Sequence, residues 1–156
     1  MKTIVRCLAV LFIAVFIVAG SEAEEKYKRT GIGIVLGAPS GLDAKIWFAR
    51  DKAIDIAFGW GYWNVWAQAT YQWHYWLSDE NADNKDFSAP LYVGVGGFAG
   101  GGRKEVGLGP IGVVGVDILF KKAPFDIFIE IGPAIQIAPE SAMFFHGGIG
   151  VRYYLP

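Results

Sequence analysis

The sequence predicts an all-β fold, an eight-stranded antiparallel up-and-down transmembrane β-barrel, on three observations. The first is the last stretch, Met143 to Leu155. Here Met143, Phe145, Ile149, Val151, Tyr153 and Leu155 are large and apolar, while His146, Gly148, Gly150 and Arg152 stand between them. A two-residue period of this kind belongs to a strand whose faces meet different media. About thirteen residues also suffice to cross a hydrocarbon layer at a strong tilt. The second observation is that seven further segments repeat the pattern, most of them joined by links of hairpin length. The third is that charges inside these segments fall on the face that carries the glycines, opposite an aliphatic and aromatic face.

The first strand is expected over Thr30 to Gly37, with Ile32, Ile34 and Leu36 on one face and Gly31, Gly33, Val35 and Gly37 on the other. Ala38-Pro39-Ser40-Gly41 is a turn, because proline presets φ and glycine tolerates positive φ. The second strand, Leu42 to Ala49, sets Leu42, Ile46 and Phe48 against Asp43, Lys45 and Trp47. Arg50-Asp51-Lys52 is a tight polar turn. The third, Ala53 to Tyr62, sets Ile54, Ile56, Phe58 and Trp60 against Ala53, Asp55, Ala57 and Gly59. The fourth, Val65 to Leu77, sets Ala67, Tyr71, Trp73 and Tyr75 against Trp66, Gln68, Gln72 and His74.

Ser78 to Ala89 is the one long polar connection. The fifth strand, Leu91 to Ala99, alternates Leu91, Val93 and Val95 with Tyr92, Gly94 and Gly96. A glycine-rich loop is expected from Gly100 to Gly109. The sixth strand, Ile111 to Phe120, sets Val114, Val116 and Ile118 against Val113, Gly115 and Asp117. The seventh, Phe125 to Ile137, sets Ile127, Ile129 and Ile131 against Asp126, Phe128 and Glu130. Pro133 lies inside it and lacks a ladder donor, which predicts a bulge or local irregularity near a rim. A turn at Pro139-Glu140-Ser141 leads into the eighth strand.

A soluble barrel would be apolar inside and polar outside, the reverse of this pattern. An apolar band outside a polar lumen is the signature of a membrane barrel. Glycines on the inner face suit a narrow eight-stranded barrel whose lumen is filled by side chains. Aromatic residues gather toward strand ends, at Trp73 to Trp76, Phe120, Phe125 and Tyr153-Tyr154, as interfacial belts do. Closure removes edges that such strands would otherwise expose.

The N-terminus reads as a targeting segment. Lys2 and Arg6 form a basic region, Cys7 to Ala19 an apolar one, and Ser21-Glu22-Ala23 a small-residue cleavage site. Residues 1–23 are thus expected to be a cleaved signal peptide, 24–29 a periplasmic lead-in and 30–156 a single barrel. Cys7 is the one cysteine, so the processed chain has no disulfide and no thiol ligand or nucleophile. A net charge of −1 gives no electrostatic case for a nucleic-acid partner.

Candidate chemistry centres on the inward charges Asp43, Lys45, Asp55, Asp117, Glu130 and Arg152, with Asp126 at a mouth. Counting from the turns makes Asp117 and Glu130 cross-strand neighbours, with Arg152 as the fork that serves both. Lys45 is expected to meet Asp55. The network is read as structural, with a gate or proton-sensitive site as the functional alternative. His74 and His146 face inward as hydrogen-bonded fillers. Ser40, Ser78, Ser88 and Ser141 lie in turns, so a Ser-His-acid site converging on the lipid face is not expected. Asp79-x-Asn81-x-Asp83 opens like a calcium loop, but Asn84 and Pro90 replace the glycine and glutamate it needs. Gly96 to Gly102 has no following helix to make a phosphate cradle. No cofactor or metal is expected.

Three stretches carry a family resemblance: G-I-G-I-V-L-G-A-P-S-G-L from Gly31 to Leu42, P-L-Y-V-G-V-G-G from Pro90 to Gly97, and G-G-I-G-V-R-Y-Y from Gly147 to Tyr154. They resemble a family of small bacterial outer-membrane barrels related in architecture to the OmpA/OmpX type, known by fold more than by activity. The resemblance implies the bacterial outer membrane as location and its lipids as surroundings. It also implies the barrel assembly machinery as a partner, reading Gly150, Tyr153 and Leu155 as a terminal signal, although the chain closes on Pro156 rather than an aromatic residue. The function expected is a monomeric, envelope-structural or surface-interaction protein rather than an enzyme, with an unidentified extracellular or periplasmic protein partner. A partner through the Gly100 to Gly109 loop becomes the better reading if neither conductance nor lipid modification is found. The alternatives are a lipid-modifying enzyme and a narrow pore for small solutes. With the N-terminus in the periplasm, the long Ser78 to Ala89 connection falls there too, an unusual place for one unless a strand has been miscounted.

Overall fold

The computed structural model describes residues 30–60, 65–76, 86–101 and 106–155. The expected signal peptide, the lead-in and the Asp79-Asn81-Asp83 stretch lie outside these residues. Nine strands follow in chain order: β1 (Thr30–Ala38), β2 (Ser40–Ala49), β3 (Lys52–Trp60), β4 (Val65–Tyr75), β5 (Phe87–Ser88), β6 (Leu91–Gly101), β7 (Val106–Phe120), β8 (Phe125–Gln136) and β9 (Ala142–Tyr154). Every pairing is antiparallel, and β9 pairs with both β8 and β1. The sheet therefore closes on itself.

The two-residue β5 is part of the same barrel strand as β6. Both pair with β7 in one register, Phe87 opposite Phe120 and Leu91 opposite Val116. Between them the Pro90 carbonyl still accepts the Asp117 N–H at 3.1 Å. The ladder lapses only where Pro90 has no N–H to give. The barrel thus has eight strands, and the fifth begins at Phe87, so the polar connection is shorter than expected.

Thr30 accepts from the Leu155 N–H, Pro124 from the Tyr154 N–H and Asp86 from the Lys121 N–H. These bonds place both chain ends of the barrel, the β7–β8 turn and the long connection at one end, called here the terminal end. No strand was miscounted: the long connection does share an end with the termini.

The glycine-rich loop is corrected. β6 and β7 remain paired up to Gly101 opposite Val106, because alternating Gly100, Gly107 and Gly109 let the two strands coil together instead of parting. Only 102–105 lie between them. Pro133 produces the expected local irregularity as a gap in the ladder rather than as a bulge. The β7–β8 register is the same on both sides of it, from Ile111 opposite Ala134 to Val114 opposite Ile131, with the two intervening pairs missing from the ladder. The recorded register shift lies instead between Trp47 and Ala49 in β2–β3.

Burial alternates as the sequence dictates. Ile34, Val95 and Ile131, in the middle of the wall, are 50%, 56% and 57% exposed, whereas Arg152, Lys45, Asp55, Asp117 and Asp126 are 0% exposed. The lumen is packed in three levels. Trp47, Ala53 and Tyr154 form an apolar layer at the terminal end, with Trp76 and Leu119 against it. At the other end Trp66, Phe98, Ile111 and Ala134 form a second layer with Phe144, and the Trp66 and Phe98 rings stack at 4.4 Å. The charges lie between the two.

Inner glycines make room for rings from the adjacent strand. Tyr92 lies opposite Gly115 and Phe128 opposite Gly150. A Cβ added to Gly115 would stand 2.5 Å from the Tyr92 ring, and one added to Gly150 would stand 2.3 Å from the Phe128 ring. Covering glycine with a cross-strand aromatic ring is a recurrent device for holding register in sheets.

Candidate functional site: the charged lumen

Arg152 on β9 is opposite Gly33 on one side and Asp126 on the other. With no side chain at Gly33, the guanidinium is free to reach into the lumen. Its three N–H edges go to three different aspartates. Nε donates to Asp43 Oδ1, Nη2 to Asp55 Oδ2 at 2.6 Å and Nη1 to Asp117 Oδ1 at 3.2 Å. Asp126 Oδ2 lies 3.6 Å from Nη1, within ion-pair range. The Phe128 ring caps the guanidinium plane at 3.6 Å, a stacking that lysine could not reproduce.

Asp117 is the second centre. It accepts from the Lys45 ammonium as well as from Arg152, and His74 Nε2 is 3.1 Å from its Oδ2. The Lys45 ammonium lies 4.4 Å from the Tyr92 ring centroid and 5.0 Å from that of Trp47. Two tyrosines complete the set. Tyr92 donates to Glu130 Oε2 at 2.8 Å, and Tyr154 donates to Asp126 Oδ2 at 2.6 Å while accepting from Trp47 Nε1 at 3.1 Å. The network draws on β2, β3, β4, β6, β7, β8 and β9, so it ties almost the whole circumference together.

All six charges expected in the lumen are there and buried, but their partners differ from the expected ones. Asp117 is opposite Phe128, and Glu130 is opposite Gly115. The β7–β8 turn is centred one residue earlier than assumed, which shifts the pairing by two. Arg152 accordingly serves four aspartates, while Glu130 is bonded to Tyr92. Lys45 and Asp55 are cross-strand partners as expected, yet the lysine reaches across the lumen to Asp117 and leaves Asp55 to Arg152. Asp126 is not at an open mouth; the Tyr154 layer buries it. Sequence reasoning missed Tyr92, Tyr154 and Trp47 as members. Their signal was a polar-tipped ring on the glycine-bearing face.

Both histidines point inward. His146 Nε2 lies 3.0 Å from the Gly112 carbonyl. Ser40, the first residue of β2, exchanges hydrogen bonds with Gly37 across the β1–β2 turn, and Ser88 lies in β5 rather than in a turn, because the fifth barrel strand begins at Phe87. Among the described residues, no group of three or more His, Cys, Asp or Glu is placed to hold a metal ion. Chemically, the arrangement crosslinks strands through charge-assisted bonds. Of the residues expected to form a terminal signal, Gly150 lies beneath Phe128, and Tyr153 and Leu155 face outward.

The fold and this site define a class: a closed eight-stranded barrel, apolar outside, with a side-chain-filled, charge-linked lumen. No family model, curated protein or solved structure matches the chain.

Proposed function

We propose that the protein is a bacterial outer-membrane barrel, exported by its N-terminal signal, with a structural or surface-interaction role in the cell envelope. One observation carries this reading. Among the described strands, every Asp, Glu, Arg and His points into the lumen, and Lys52, at the first position of β3, is the one lysine besides Lys45. Aliphatic and aromatic side chains cover the outer wall. Water would penalise such a wall, whereas hydrocarbon accommodates it. Outward aromatic residues crowd the terminal end at Phe48, Tyr71, Trp73, Tyr75, Phe87, Phe120, Phe125 and Tyr153, as an interfacial girdle would.

The two aromatic layers with an ion-paired belt between them favour a closed scaffold over the pore alternative. The described loops at the end away from the termini are short, so a protein partner has more chain to contact at the terminal end. The test is planar-bilayer recording with the purified barrel. The scaffold reading predicts insertion without conductance steps, and steady ion currents would replace it with the pore.

A further inference from the structure

The lumen holds five buried carboxylates, Asp43, Asp55, Asp117, Asp126 and Glu130, against two buried permanent cations, Lys45 and Arg152, among the described residues. Apolar layers close this volume at both ends. Unbalanced buried charges cost several kcal/mol each, so this excess favours the neutral form of those carboxylates that no cation bonds. The donors are unequally shared. Asp117 faces three cationic or ring N–H donors, and Asp43 and Asp55 each hold one edge of the Arg152 fork. Glu130 and Asp126 take hydrogen bonds instead from the uncharged hydroxyls of Tyr92 and Tyr154, with Arg152 Nη1 3.6 Å from Asp126 Oδ2, beyond hydrogen-bond reach; Asp126 Oδ1, like Asp55 Oδ1, is buried with no hydrogen-bond partner.

We propose that Glu130 and Asp126 are neutral carboxylic acids in the folded barrel, so that two stored protons offset two of the lumen's three excess negative charges. Around Glu130 stand Tyr92 from β6, His146 and Arg152 from β9 and Asp43 from β2. Around Asp126 stand Arg152 and Tyr154 from β9, Asp117 from β7 and Lys45 from β2. In both sets the Arg152 and Lys45 donors are hydrogen-bonded to other aspartates, and His146 Nε2 is held by the Gly112 carbonyl. This inference rests on the closed, packed lumen and stands or falls independently of which membrane surrounds the wall.

Infrared difference spectroscopy of the folded barrel in detergent at neutral pH tests it. The parent should show the carbonyl stretch of protonated carboxylic acid. Glu130→Gln and Asp126→Asn should each remove part of that band and leave the unfolding midpoint close to the parent's, because an amide mimics the neutral acid. Asp117→Asn should leave the band and lower the midpoint. Absence of a protonated-acid band in the parent would overturn the proposal even if a variant failed to fold. So would a band that survives both substitutions, or a Glu130→Gln midpoint that falls as far as that of Asp117→Asn.

Discussion

Arg152 carries more of this molecule than any other residue. Its guanidinium is fully buried, and each edge is committed to a different strand's aspartate. Removing one member of a buried ionic set leaves its partners uncompensated, typically at about 3–5 kcal/mol. Arg152→Ala is therefore expected to lower the unfolding free energy of the detergent-folded barrel, measured by urea titration, by about 3–5 kcal/mol. Arg152→Lys should recover only a small part, since a single ammonium cannot span Asp43, Asp55 and Asp117 or stack on Phe128. A lysine variant with parental stability would show that charge alone matters and geometry does not.

At the scale of strands, β7, β8 and β9 show how a local defect is repaired. Pro133 stands next to Gly112, its ring 3.8 Å from where a Gly112 Cβ would lie, and it has no N–H for the Gly112 carbonyl. His146, from β9, supplies the donor instead. A buried acceptor left without a partner costs about 1–3 kcal/mol. His146→Ala should destabilise by about that much, and Pro133→Ala should compensate in the His146→Ala background by restoring a backbone donor. A double-mutant cycle measured by urea unfolding would detect this coupling; strictly additive effects would refute it.

The strands themselves were legible in the sequence because the period of two shows directly which residues share the polar face. The Asp43–Lys45–Asp55–Asp117–Glu130–Arg152 set was legible for the same reason. The pairings within it were not. A turn displaced by one residue moves every partner on β8 by two, and a lysine stem long enough to cross the lumen can ignore its cross-strand neighbour. The extension of β6 and β7 through Gly100 to Gly109 was hidden because glycine reads as loop even where it serves a tightly coiled sheet.

For the whole molecule, the claim is that an inside-out barrel has lipid for its solvent. The barrel residues 30–156 contain no cysteine, so single cysteines can be placed there at will and spin-labelled. The decisive measurement is label accessibility in reconstituted bilayers at Ile34, Val95, Ile131 and Ile149 on the outer wall, with Lys121 in the terminal-end turn for comparison. The account predicts that the four wall sites collide with lipid-soluble oxygen and are shielded from an aqueous nickel chelate, with the reverse at Lys121. Wall sites open to the chelate, or a chain that stays monomeric in water without detergent, would contradict it.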